Sequence, residues 1–355
     1  MIDVFQFMAS TGFGGAEKAF VELTNALADQ TRVTALVLRG TEYLPRFASW
    51  VPVIELKSHP TRHNPLLWLE LRRLLLGRAP GIIHTHAAKA AELVALVNRD
   101  QRFIHLATKH NDRKGRIFNR LPFVSAVSEK VRASVRSRPG ASALSKPQVD
   151  GKVWVIHNGI NLEKVEHGHV PEKFTILAIG RLDALKGFDQ LIKAVAGLDF
   201  PFCLRVVGEG PERARLAKEI AAFDLQEKVF LEGFRDDVPQ MMADSHLVVI
   251  SSRREGGPRV LPESLFYASA LISTPVGIVP EILPPELQCG LADLRWKITD
   301  VCLRYSHYQR LFAQVADQRK KDFCLPVIAG KYLALYEEIL ALSRRENAFT
   351  DENKL

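Results

Sequence analysis

Two acids, Glu255 and Glu263, flank the segment Gly256-Gly257-Pro258-Arg259 within RREGGPRVLPESL (253–265). Neither a buried helix nor an ordinary turn favours Gly-Gly-Pro directly after a carboxylate. Pro262 lacks an N–H but is tolerated in a first helical turn, where N–H groups have no intrahelical partner. A helix is therefore expected to begin near Arg259 or Val260, with 255–258 a loop at its N-terminus. There the two glycines would present backbone N–H groups, and the helix end would favour negative charge. Glu263 would lie in the first turn. Its carboxylate offers two acceptors, a match to a sugar or ribose diol; the plainer reading is a charge complement to the helix end.

Other loops carry similar chemistry. Arg181 and Lys186, in GRLDALKGFDQ, enter a helix and are spaced to converge on one anion, the first as a fork of donors and the second as a point charge. A solvent-exposed basic loop is the plainer alternative. Gly208 and Gly210 in VVGEGPE fit a tight strand-to-helix turn with Pro211 at the first helical position, which would let backbone approach a ligand or merely connect two elements. Gly14 and Gly15 in STGFGGAEK would admit a phosphate or substrate, but their spacing is not the dinucleotide fingerprint. His84 and His86 share one face of the strand GIIHTHA, and His110 and Asn111 stand at another strand end, TKHND. No third ligand at plausible spacing makes the His pair a metal site, and a structural histidine is the alternative for each.

The elements that must position these loops alternate regularly. IDVFQFM, TRVTALVL, VPVIEL, GIIHTHA, FIHLATK and FVSAVS read as strands, separated by helical stretches such as AEKAFVELTNALADQ and NPLLWLELRRLLLGRAP. After a polar break the pattern restarts with FTILAIG, FCLRVVG, KVFLEG, HLVVISS and LISTPV. Alternation of this kind implies parallel βαβ units. The expectation is an α/β chain of two doubly wound, Rossmann-like domains, 1–168 and 169–325, with a cleft between them and ligands beyond the carboxyl ends of the strands. A C-terminal segment, 326–355, is expected to carry a last helix over 329–342, started afresh after a break at Pro326 and packing back on the N-terminal domain, and then a disordered tail.

The totals agree. A chain of 355 residues suits two domains. No apolar run is long enough for a transmembrane helix, and MIDVFQFM reads as a first strand rather than a signal peptide. Four scattered cysteines suggest a reducing cytoplasm and no metal cluster. The net charge of +8 is concentrated in 109–138, where nine Lys or Arg face only Asp112 and Glu129. This segment is either a solvated helix face with a loop or a patch for an anionic surface such as phospholipid or a phosphorylated glycan. It shows no stacking platform or recognition helix for nucleic acid.

Together FGGAEK (13–18), IIHTHA (82–87), VIHNGI (155–160), GRLDALKG (180–187), VVGEGPE (206–212), VFLEGF (229–234) and EGGPRVLPE (255–263) resemble, in order and spacing, the family 4 retaining glycosyltransferases of GT-B fold. The last segment resembles that family's E-x7-E pattern, and the likeness runs from residue 1 to about 285. The resemblance implies a cytoplasmic enzyme, at most peripheral on the inner face of the membrane, that builds a surface glycan such as lipopolysaccharide. It implies a nucleotide-sugar donor, a UDP-sugar being expected, a hexose transferred to a glycan or glycolipid acceptor, and no metal.

In roles, Arg181 and Lys186 match the pair that grips the diphosphate. Glu255 matches the acid on the transferred sugar, with Gly256 and Gly257 supplying backbone. Glu263 matches the acid on the ribose diol, and Gly14 and Gly15 the loop near the phosphates. His86, preferred over His84, matches the histidine beside the donor sugar. Gly208, Gly210, Phe234 and Val260 complete the donor set. Lys109, His110, Asn111, Arg113, Lys114 and Arg116 form an acceptor or membrane patch. Pro258-Arg259 departs from the family's usual residues; Pro258 stiffens the sugar loop and Arg259 adds charge. Gly277-Ile278-Val279-Pro280-Glu281 replaces the usual Gly-Gly before a later acid. A nucleotide-sugar epimerase, a glycogen-type synthase and a non-catalytic donor-binding scaffold are alternatives on the same fold.

Overall fold

The computed structural model describes residues 2–113, 115–135, 152–166 and 171–352. The chain divides into two compact units, Met1–Gly159 with Cys324–Leu355, and Ile160–Phe323. The division falls at Gly159–Ile160, where the sequence pattern suggested 168–169.

The first unit contains a parallel sheet of seven strands: β1 (Asp3–Met8), β2 (Arg32–Leu38), β3 (Val53–Leu56), β4 (Ile82–His86), β5 (Ile104–Lys109), β6 (Phe123–Ala126) and β7 (Lys152–Val155), in the order β3-β2-β1-β4-β5-β6-β7. These strands are apolar runs rather than alternations because helices cover both faces. The helix Gly15–Ala28 buries Ala19, Phe20, Leu23, Thr24 and Leu27, and the helix Ala87–Val97 buries Ala90, Ala91, Leu93, Val94 and Val97.

The final helix, Leu325–Glu352, belongs to this unit. Ile328, Tyr332, Leu335, Tyr336 and Ile339 recur at helical spacing and join Val4, Leu27, Ile82 and Leu106 in one core cluster. The expected break is present, just before Pro326: one helix ends at Arg319, a 3-10 turn spans Lys320–Phe323, and the last helix starts afresh at Leu325. Pro326 lies in the first turn, where its missing N–H would have had no acceptor, so the helix runs well beyond 329–342 at both ends.

The second unit carries a parallel sheet of five strands: β8 (Phe174–Ile179), β9 (Phe202–Val207), β10 (Val229–Gly233), β11 (Leu247–Ile250) and β12 (Leu271–Ser273), in the order β10-β9-β8-β11-β12. Its core is a single large cluster that includes Ile176, Leu177, Leu191, Val206, Val248, Leu261 and Ile272. Each such side chain contributes about 1.5–3 kcal/mol through burial. In both units the strand order reverses direction once, between β1 and β4 and between β8 and β11. Such switch points leave a crevice beyond the strand ends, where ligands of open α/β sheets bind.

Candidate active site

The loops after β8 and β11 flank the second unit's switch point. After β8, Asp183 opens a short 3-10 turn, Ala184–Lys186, by accepting from the Leu185 N–H at 2.9 Å. Gly187 follows in the left-handed region, at φ 66°. A Cβ there would stand 2.0 Å from the Ser251 carbonyl oxygen, so only glycine lets the two loops close on each other. Across this contact Lys186 Nζ donates to Glu255 Oε1 at 2.5 Å, and Ser252 Oγ donates to the same oxygen at 2.9 Å. The two charged side chains are 22% and 16% exposed, sheltered from bulk water yet open to a ligand.

A second tether, on residues to which the motifs assigned no role, holds this geometry. Arg253 grips Asp189 with two bonds, of 2.7 and 2.6 Å, and donates to the Ala184 carbonyl at 2.6 Å. Its backbone N–H reaches the Leu185 carbonyl at 2.7 Å. The Arg253 guanidinium holds the Asp189 carboxyl well below the usual carboxylate range, and Asp189 also lies in the first turn of the helix Phe188–Ala196. A depressed carboxyl stabilises the fold above its unfolded value, near 3.8, and that contribution is lost as pH falls through the folded value. Asp189→Asn is therefore expected to cost about 2 kcal/mol at pH 7. The difference from the native chain should shrink steadily below about pH 4 in urea melts.

The glycines of the neighbouring loops have geometric causes. A Cβ at Gly277, itself at φ 54°, would fall 2.5 Å from the Gly256 carbonyl oxygen. A residue outside the motif thus supports the Glu255–Gly256 backbone from beneath. Gly208 and Gly210 pack as closely on the Gly180 and Leu182 carbonyls, with hypothetical Cβ contacts of 2.1 and 2.4 Å. Arg181 and Phe234 are exposed, while Gly256, Pro258 and Val260 are buried. Among the described residues the Arg181 guanidinium meets no carboxylate. The helix Val260–Tyr267 begins where its proline and acid predict, with Glu263 in the first turn. Arg259 Nη2 lies 3.7 Å from Glu263 Oε1, and both side chains are largely covered.

In the first unit, the helix Gly15–Ala28 is capped by Gly14, and Ser10 Oγ donates to Glu17 Oε1 in its first turn at 2.6 Å. β4 places His84 and His86 on one face with their rings 4.4 Å apart. Gln6 links them from β1. Its Oε1 accepts from His86 Nε2 at 2.7 Å, and its Nε2 donates to the Tyr336 hydroxyl at 2.7 Å. That hydroxyl lies 2.8 Å from His84 Nδ1, and His84 Nε2 lies 2.6 Å from Thr108 Oγ1. Because a carboxamide oxygen only accepts, His86 carries its hydrogen on Nε2 and leaves Nδ1 to accept from His110 Nε2, 3.2 Å away. Burial holds both His84 and His86 well below the ordinary imidazole value, so both are neutral at pH 7.

This network alters two expectations. His86 is 1% exposed and reaches only a cavity of about 10 Å³ that it shares with His110, His157 and Tyr332, whereas the half-buried His110 also borders a cavity of about 190 Å³ together with Ala88, Lys109, Asn111, Arg113 and Phe118. Lys109 is not part of a surface patch. It is 2% exposed, donates to Ser134 Oγ at 2.5 Å and lies over the Phe118 ring. Asn111, Arg113 and Arg116 are exposed. Lys114 and the end of the basic segment, 136–138, lie outside the described residues.

Two family models match this chain: Glycosyltransferase Family 4 over residues 13–164 and Glycosyl transferases group 1 over residues 160–291. An N-acetylgalactosamine-N,N'-diacetylbacillosaminyl-diphospho-undecaprenol 4-alpha-N-acetylgalactosaminyltransferase of Campylobacter jejuni is 35% identical over 128 residues, which is 35% of this chain and 35% of that one. The chain thus matches about a third of that relative's length. The lipopolysaccharide core biosynthesis glycosyltransferase LpsE of Rhizobium meliloti is 25% identical over 74% of this chain and 76% of its own. Among solved structures, Anabaena Alr3699/HepE in complex with UDP and glucose superposes with a TM-score of 0.79 at 17% identity, covering 95% of this chain and 100% of that one. At that identity the likeness shows the fold.

Proposed function

We propose, for a chain that belongs to the family 4 glycosyltransferases of GT-B fold, that it moves a hexose from a nucleoside-diphosphate sugar to a glycan or glycolipid acceptor with retention at the anomeric carbon. The observation that carries this reading is the Lys186–Glu255 pair, 2.5 Å long and set at the second unit's switch point. Departure of the nucleoside diphosphate concentrates negative charge on its terminal phosphate. Arg181, Lys186 and the N-terminus of the helix Val260–Tyr267 stabilise that charge. Glu255 fixes the lysine and accepts from sugar hydroxyls, with Gly256 and Gly257 as backbone partners. Glu263, steadied by Arg259, takes the ribose diol.

In the reaction the anomeric carbon–phosphate oxygen bond breaks as the acceptor oxygen bonds to the same face of that carbon, and the leaving phosphate oxygen takes the acceptor's proton. Gly14 caps, and Gly15 begins, a helix whose N-terminus favours phosphate. His110 is the first unit's ligand-facing imidazole, and His86, set by Gln6, orients it. A UDP-sugar donor is supported by the UDP held in the HepE structure. A lipid-linked acceptor, met at the surface of a membrane, is supported by the diphospho-undecaprenol in the Campylobacter relative's name. Among the described residues no helix is long and apolar enough to cross one.

A thermal-shift panel of nucleotide sugars tests the reading. A donor at a hundred times its Kd should stabilise the chain by about 2.7 kcal/mol. Product analysis with that donor should show net glycosyl transfer with retained configuration. If no nucleotide or nucleotide sugar shifts the melt, the proposal fails; isomerised donor without transfer would point to an epimerase.

A further inference from the structure

The helix Pro65–Leu76, PLLWLELRRLLL, carries seven leucines. Leu67, Leu71 and Leu75 are buried in the first unit's core with Phe5, Phe7 and Leu93. A helix packed on one side is ordinarily polar on the other. Here Leu66, Leu69 and Leu76 are 67%, 44% and 45% exposed. At 100° per residue, Leu66, Leu69, Arg73 and Leu76 fall within one outward sector of about 80°. The helix's one acid, Glu70, faces elsewhere, since it accepts from the Lys57 and Ser58 N–H groups at 2.8 and 2.9 Å. Arg72 is also turned aside, donating to the Val97 carbonyl at 3.0 Å. At the helix's C-terminal end stand Arg78 and Arg102, both exposed and held together by a 2.6 Å bond from Arg102 to the Arg78 carbonyl.

An outward strip of leucines bordered by Arg73, Arg78 and Arg102 combines apolar area with positive charge; the exposed acid at this end of the helix, Asp100, lies 3.9 Å from Arg72, which is turned aside from the strip. Apolar area and positive charge are the requirements of a surface that is apolar at depth and negative at its rim. We propose that the Pro65–Leu76 helix seats this protein on an anionic lipid bilayer. Leu66, Leu69 and Leu76 enter the boundary between headgroups and acyl chains, and the three arginines take lipid phosphates. The contact is separate in sequence from the basic segment 109–138. It shares with the proposed function only the membrane setting, because lipid binding requires no donor sugar.

The test uses the full chain and sedimentation with vesicles of equal parts phosphatidylglycerol and phosphatidylcholine, or of phosphatidylcholine alone. The native chain should bind the mixed vesicles, and less tightly as salt rises. Leu66→Gln combined with Leu69→Gln should weaken that binding roughly tenfold or more while leaving thermal melting unchanged, because both side chains point outward. Arg73→Glu with Arg78→Glu should remove the preference for the anionic vesicles. Native affinity in the leucine variant would overturn the proposal. So would loss of binding only on Arg113→Glu with Arg116→Glu, or a leucine-dependent dimer in sedimentation equilibrium without vesicle binding. The vesicle measurement contains no nucleotide sugar, so its outcome is independent of whether the chain transfers sugar.

Discussion

Lys186→Ala is expected to lower kcat for sugar transfer by about 10²–10³, the usual effect of removing one preorganised group from a developing anion. The cause is specific to this site. Lys186 Nζ is already aimed and desolvated by Glu255 at 2.5 Å, and its stem lies across Gly180, where a Cβ would be 3.1 Å from Lys186 Cε. The cation therefore needs little reorganisation as phosphate charge grows. Alanine would remove the charge and also leave Glu255 held chiefly by Ser252. Single-turnover transfer with the donor identified by thermal shift measures the effect. Lys186→Arg should recover only part of the rate, because a planar fork does not reproduce a point charge on a linear stem. Transfer by Lys186→Ala within threefold of native would sink the assignment.

The largest loss of stability is expected at Gly187→Ala. The added methyl would meet two independent obstacles. The backbone there is left-handed, at φ 66°, a conformation that costs a non-glycine residue about 1–2 kcal/mol. The Cβ would also lie 2.0 Å from the Ser251 carbonyl oxygen, a backbone atom with no rotamer through which to escape. The loops after β8 and β11 must then separate, taking the Arg253–Asp189 bonds with them. A cost of about 4 kcal/mol, or roughly 10 °C in Tm for a unit of this size, follows. Gly40→Ala is the control: Gly40 is also left-handed, at φ 74°, but has open space around its Cβ position. Calorimetric melts that coincide for the two variants would show that the close approach at Gly187 does not matter.

Much of the scaffold was legible because its signals are local. The strands of both sheets are apolar runs closed by Gly, Asn or Ser, and Pro262 with Glu263 marked the start of a helix within a residue. The loops holding Lys186 and Glu255 were legible for the same reason, since each lies directly after a strand. What escaped were pairings whose partners are far apart in the chain. Gln6 is one polar residue in an apolar strand, and its meaning depends on Tyr336, 330 positions later. Arg253 stood in full view beside Glu255, but nothing local joins it to Asp189. Lys109 counted as surface charge by composition, yet it ends a central strand and is folded under Phe118. His86 and His110 could not be ranked from sequence, because standing at the ends of two strands does not say which ring is covered. Pro326 marked the break before the last helix, but the bounds 329–342 fell short because proline is accommodated inside a first turn.

The return of the Leu325–Glu352 helix to the first unit bears on biosynthesis. The second unit is one uninterrupted stretch, Ile160–Phe323, whereas the first is closed by residues translated after it. As the chain leaves the ribosome, the later-coded unit can complete its own core while the earlier one still lacks Ile328, Tyr332, Tyr336 and Ile339. Until those residues emerge, Gln6 and His84 have no Tyr336 hydroxyl to meet, and one flank of the seven-stranded sheet stays uncovered. The half that begins first is thus finished last, and the nascent chain must shelter that flank for as long as the other unit is being made.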